Sequence, residues 1–67
     1  MDRFGTRLRD ARHARGWSLG DLEARTGIQK PRLSRYENGW VIPTIDSVEV
    51  LAKALRVAPA VLVGWQR

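Results

Sequence analysis

Four segments of the chain carry apolar residues at helical spacing, and none alternates as a strand with a turn partner would. From about Arg3 to Arg15, Phe4, Leu8 and Ala11 share one face, with Arg3, Arg7, Arg9 and Asp10 elsewhere. A second segment opens at Ser18, whose side chain is placed to cap the backbone N–H of Asp21; Trp17 and Leu22 stand where a hydrophobic staple would pair them. It runs to about Thr26. The third, about Lys30 to Asn38, carries Leu33 and Tyr36 three residues apart, with Ile28 just before it. Pro31 is tolerable there, because in a first turn its missing N–H has no intrahelical partner. The fourth has Thr44 as N-cap and Asp46 in its first turn, and Ile45, Val48, Leu51, Ala52 and Leu55 trace its apolar stripe. A short fifth helix starts near Pro59 and turns Val61 and Leu62 inward. Gly16, Gly27 and Gly39 each follow a helical segment, as residues just past a helix end do. The expected fold is all-α, a compact bundle of about five short helices in a single domain spanning 1–67.

Composition narrows the class further. A chain of 67 residues holds one domain, and at that size only about 60% of the unfolded surface is buried, so the core must be well patterned. Hydrophobic residues at 43% beside 28% charged ones fit an ordered domain rather than a disordered segment. The absence of cysteine excludes disulfides and thiolate metal sites, and points to a reducing cytoplasm. No apolar run approaches the ~20 residues that span a bilayer, and Met1–Gly5 has no apolar stretch to act as a secretion signal. A soluble cytoplasmic protein is the expectation.

Charge says more. Twelve Lys+Arg against seven Asp+Glu leave a net +5, and only Lys30 and Lys53 are lysines. Such a balance favours anionic partners, nucleic acid or an anionic membrane. The membrane reading is the weaker, because the cations are not segregated opposite one continuous amphipathic face. Arginine's planar donor fork matches phosphates and guanine edges. Candidate catalysis is thin: His13 is alone, and Asp10, Asp21, Asp46 and Glu49 read as caps or surface charges. Paired carboxylates, a Ser-His-Asp set and a Gly-rich phosphate loop are all missing. No enzyme activity, metal or cofactor is expected.

Two short helices joined across a glycine, Ser18–Thr26 and Lys30–Asn38, form a helix-turn-helix unit. Around it the pieces Leu8–Arg12, Arg15–Leu19, Thr26–Ile28, Leu33–Gly39, Pro43–Thr44 and Leu51–Leu55 occur in order and at consistent spacing. In this the sequence resembles the Cro/CI-type (XRE) helix-turn-helix domains of phage repressors and small bacterial regulators, from about Phe4 to Gly64. The resemblance implies a five-helix globule whose third helix lies in the DNA major groove. The residues agree independently. With Ile28, Leu33 and Tyr36 inward, Lys30, Arg32, Ser34 and Arg35 are left outward or on the flank, donor types that read base edges. Pro31 offers only apolar contact, for example to a thymine methyl. By resemblance, Ser18 and Leu19 at the start of the second helix meet phosphate, as do Asn38, Gly39 and Trp40 after the third. Helix N-terminal N–H groups and a loop glycine suit that role. The resemblance further implies that Arg12 pairs with Glu37, joining the first helix to the end of the third as a structural ion pair.

The chain also departs from the family pattern. Leu19 stands where many relatives have a glutamine that bonds both phosphate and base. Glu23 replaces a small alanine where the two helices approach, so that either the helices splay or Glu23 bends outward to an arginine. Gln29 occupies a place where serine or threonine often caps the third helix. Trp17 is assigned to the core; Trp40 and Trp65 are either packing or contact groups. The expected function is a sequence-specific double-stranded DNA-binding transcriptional regulator, acting as a repressor and binding as a homodimer. The apolar tail Ala60–Trp65, Trp65 above all, is the candidate two-fold contact. The alternative is an antitoxin-like module whose main task is to bind a partner protein, with DNA binding secondary.

Overall fold

Among the described residues five helices follow one another: α1 (Asp2–Ala14), α2 (Leu19–Thr26), α3 (Lys30–Glu37), α4 (Ile45–Leu55) and α5 (Pro59–Val63). The structure, a computed structural model, describes residues 2–64, with side chains from Phe4 onward; Trp65 and its expected two-fold contact lie outside them. Local chemistry sets most of the boundaries. Ser18 Oγ accepts the N–H of Asp21 at 3.0 Å, and the Asp21 carboxylate returns the favour to the Ser18 N–H at 2.9 Å. Thr44 does the same work for α4, accepting from Ser47 N at 3.1 Å. Gly16, Gly27 and Gly39 take φ of 71°, 77° and 74° at the ends of α1, α2 and α3.

The helices pack pairwise, α1 on α3 and α5, α2 on α3 and α4, and α4 on α5. Their shared core is Phe4, Leu8, Leu22, Leu33, Tyr36, Val48, Leu51, Ala52, Leu55 and Leu62. Phe4 meets Tyr36 edge to face, with centroids 6.0 Å apart and planes at 86°, a preferred aromatic geometry. Tyr36 keeps its polar end satisfied by donating to the Ser47 hydroxyl at 3.2 Å. α1 lies unusually close to α3 because residue 5 is glycine. A Cβ there would stand against the carbonyl oxygens of Glu37 and Tyr36, 2.6 Å from the latter.

Three expectations need correction. Ile45 follows the apolar register of α4, yet it is 79% exposed. It is the first residue of the helix, at the edge of the stripe, and it turns to solvent while Val48 one turn on is buried. Val61 is 48% exposed and only Leu62 turns inward; adjacent positions lie about 100° apart, so a five-residue helix buries one of them. Trp17 packs against the core without joining it. Its ring carries the Arg25 guanidinium at 4.1 Å and that of Arg15 at 5.9 Å.

Candidate nucleic-acid interface

The sequence of α3 divides its circumference. Leu33, Tyr36 and Glu37 are buried, while Lys30, Pro31, Arg32 and Arg35 are exposed and Ser34 is half-buried. At about 100° per residue, Pro31 and Arg35 lie side by side at the middle of the outward stripe, with Lys30 and Ser34 on one flank. Arg32 is on the other flank, next to Tyr36, and its guanidinium rests 5.7 Å from that ring. Ser34 is engaged within the helix: Asn38 Nδ2 donates to its carbonyl at 2.9 Å and to its hydroxyl at 3.4 Å. The side chains that project freely from the stripe are therefore Lys30, Pro31 and Arg35.

Both ends of α3 are closed. Gln29, at the N-cap, makes no side-chain bond; instead Glu23 of α2 accepts the Lys30 N–H at 3.2 Å. Among the described residues Glu23 pairs with no arginine; its carboxylate stands in for the weak cap. Pro31 has no N–H, and the Arg32 N–H bonds the Gln29 carbonyl at 3.0 Å. At the far end the Trp40 N–H bonds the Arg35 carbonyl at 2.9 Å and the Gly39 N–H bonds the Tyr36 carbonyl at 3.2 Å. This is a Schellman closure with Gly39 in the left-handed position. Its two N–H groups are thus consumed by the helix end, not left for an anion. What remains outward there is the Trp40 side chain, 76% exposed.

At the start of α2, Ser18 and Asp21 form the capping box, and the Leu19 side chain packs against the core. The hydrogen bonds from the Ser18 backbone and hydroxyl hold the Asp21 carboxyl below the usual carboxylate range. The first backbone N–H groups of α2 still point outward, as at any helix start.

Beneath this surface Arg12 Nε donates to Glu37 Oε2 at 2.7 Å and Arg12 Nη2 to Oε1 at 3.0 Å. Nη1 reaches the Trp17 carbonyl at 2.8 Å, so a single guanidinium ties α1, the turn before α2 and the end of α3. The hydrogen bond with Glu37 raises the Arg12 pKa above its ordinary value, against the opposing effect of burial. Sequence reading missed the second arginine: Arg9 Nε stands 3.4 Å from Glu37 Oε1, and its Nη2 bonds the Glu37 carbonyl at 3.4 Å and Asn38 Oδ1 at 3.5 Å. It missed Gly5 as well, although a glycine inside a helical pattern is itself a sign of close approach. Nothing local in the sequence marks the Glu23 cap, which spans seven residues.

The arrangement of the helices matches a known one. The sequence profile of the helix-turn-helix domain family matches residues 3–63. The chain belongs to the helix-turn-helix family, in its Cro/CI-type branch. The family is a DNA-binding one rather than an enzyme family. The restriction-modification controller protein C.AhdI from Aeromonas hydrophila has this helix-turn-helix fold too; it superposes with a TM-score of 0.86 at 31% identity, over 91% of this chain and 92% of that one. Two uncharacterized HTH-type transcriptional regulators of Mycobacterium tuberculosis, MT0491 and Rv0474, are each 38% identical over 58 residues. The match takes in 87% of this chain but 41% of the length of those regulators. Among the described residues no helix is long and apolar enough to cross a membrane.

Proposed function

We propose that this helix-turn-helix protein binds double-stranded DNA sequence-specifically and regulates transcription, acting in the cytoplasm as a repressor that occludes promoters. The observation that carries the reading is the stripe of Lys30, Pro31 and Arg35 on α3, exposed and backed by a helix whose ends are fixed by Glu23, Arg9 and Arg12. α3 enters the major groove; Arg35 takes a guanine edge, Lys30 and Arg32 flank it, and Pro31 meets a thymine methyl. The arginine-rich surface captures DNA electrostatically, and phosphate contacts from the start of α2 and from Trp40 seat the domain without reading sequence. No step of this requires catalysis, a metal or a cofactor. An eight-residue helix is only ~12 Å long, enough for one half-site, so two copies bind half-sites about one helical turn apart. Exposed Ile42 and Ile45 supply apolar surface for the two-fold contact.

Random-site selection on double-stranded DNA tests the whole reading. It should return a palindromic site with half-sites about 34 Å apart, bound cooperatively. Recovery of no enriched sequence would sink the proposal.

A further inference from the structure

The C-terminal ends of three helices meet away from the outward stripe of α3. Glu23 marks the side of α2 that faces α3, and Arg25 lies about 200° round the helix from it. Where the ends of α1, α2 and α4 converge there is a cleft of ≈ 510 Å³, lined by Arg15, Trp17, Arg25, Lys53, Ala54 and Arg56. Four of these six residues are cations and none is a carboxylate.

Helix C-termini attract cations, and that accounts for part of the cluster. Each end carries about half a negative charge, so three ends offset roughly 1.5 of the four positive charges. The carboxylate acting on Arg25 is Asp21, one turn back and itself held by Ser18. With its charge and that of Glu49, one turn before Lys53 on α4, both counted, the cleft stays net positive by about half a charge. Arg56 makes the point from the backbone. It sits at φ 59° and ψ 43°, and it is the one non-glycine residue with positive φ among the described residues. Glycine would take that position without steric cost; arginine there adds a cation to the cleft.

Hydrogen bonds and a stacked ring hold the frame before any ligand arrives. Arg15 Nη2 donates to the Leu55 carbonyl at 2.7 Å, and the Trp17 carbonyl is held by Arg12 at 2.8 Å. The Arg25 guanidinium is laid over the Trp17 ring at 4.1 Å, which orients its donor fork. The volume falls in the range of small-molecule sites. Planar guanidinium forks match phosphate oxygens, and several cations around one cleft suit an anion that carries more than one phosphate. From this geometry we infer that the cleft binds a small diphosphate-bearing anion, its phosphates on Arg25, Lys53 and Arg56 and any organic part against Trp17 and Ala54. The site is separate from the DNA-reading stripe and independent of that reading.

Two-dimensional ¹H–¹⁵N NMR titrations of the protein with inorganic pyrophosphate and with ADP test this, at a fixed ionic strength of about 0.15 M. The expected result is saturable shifts confined to Arg15, Trp17, Arg25 and Lys53–Arg56. Tighter binding of ADP, with movement of the Trp17 indole N–H, assigns the site to a nucleotide; equal binding assigns it to free pyrophosphate. Arg56→Gly keeps the backbone conformation and should weaken either ligand about tenfold. Shifts spread over all arginines without saturation by ~10 mM would overturn the proposal. So would unchanged affinity in Arg56→Gly, or displacement of ADP by a DNA duplex of arbitrary sequence, which would make the cleft a nucleic-acid contact.

Discussion

The carboxylate of Glu23 caps a helix other than its own: it accepts the N–H of Lys30, the first residue of α3, at 3.2 Å. Since Gln29 leaves the N-cap empty, Glu23→Ala should lower folding stability by about 0.5–2 kcal/mol in urea denaturation, the range of a lost cap. Gln29→Ser on that background should restore part of the loss by supplying a local acceptor. A Glu23→Ala protein as stable as the parent would show the bond to be idle.

Glu37 is held by two guanidiniums, with side-chain exposure of 4% against 11% for Arg12. Glu37→Ala strands Arg12 without its carboxylate and should cost ~3–5 kcal/mol. The double variant with Arg12→Ala should be less destabilised than the sum of the single ones. A denaturant double-mutant cycle measures the coupling; strict additivity would mean the pair acts as two independent residues.

Gly5 sets two effects against each other. Helix propensity alone predicts that Gly5→Ala stabilises by about 0.5–1 kcal/mol. The Cβ, however, would press on the backbone carbonyls of Tyr36 and Glu37, and backbone has no rotamer by which to yield. Overpacking of this kind costs ~1–3 kcal/mol, so the melting temperature should fall. A rise would place α1 farther from α3 than described.

Arg35 is the proposed base reader and Trp40 a proposed anchor. Arg35→Ala should lose ~1–3 kcal/mol of discrimination at one base position of the selected operator. Trp40→Ala should instead weaken all sequences alike. Binding to the operator and its single-base variants at two salt concentrations separates the two. An equal loss on every sequence for Arg35→Ala would reduce it to a backbone contact.

The Asp21 carboxyl, held below the usual range by hydrogen bonds from Ser18, favours the folded state while it is ionised and the unfolded one would be protonated. Its contribution is therefore present above its unfolded pKa, about 4, and is lost as pH falls through the lower folded value. Urea midpoints measured from pH 6 down to pH 2 should fall less steeply in Asp21→Asn than in the parent. Parallel curves would contradict this.

Elements whose cause is local were legible in the sequence. Ser18 and Thr44 announce their helices by hydroxyls three residues before an orphan N–H, and Val48, Leu51, Ala52 and Leu55 bury as their spacing implies. Ile45 shares that register and is exposed, because periodicity assigns a face and not the point along a helix where its neighbours stop. The candidate site divides in the same way. Residue type and spacing place Lys30, Arg32 and Arg35 on an outward arc, but only the folded chain shows Arg32 leaning on Tyr36 and Ser34 spoken for by Asn38. Glu23, Arg9 and the converging cations at Trp17 depend on which helix ends meet, and no window of contiguous residues records that.

The closed termini of α3 have an evolutionary corollary. A helix that lends no backbone donors to its target speaks only through its side chains, and those at positions 30, 31 and 35 carry none of the core. Substitutions there are free to rewrite the preferred operator while stability stays constant, so selection for a new binding site and selection for a folded protein do not compete. A lineage built on this scaffold diversifies its targets without first acquiring compensating mutations.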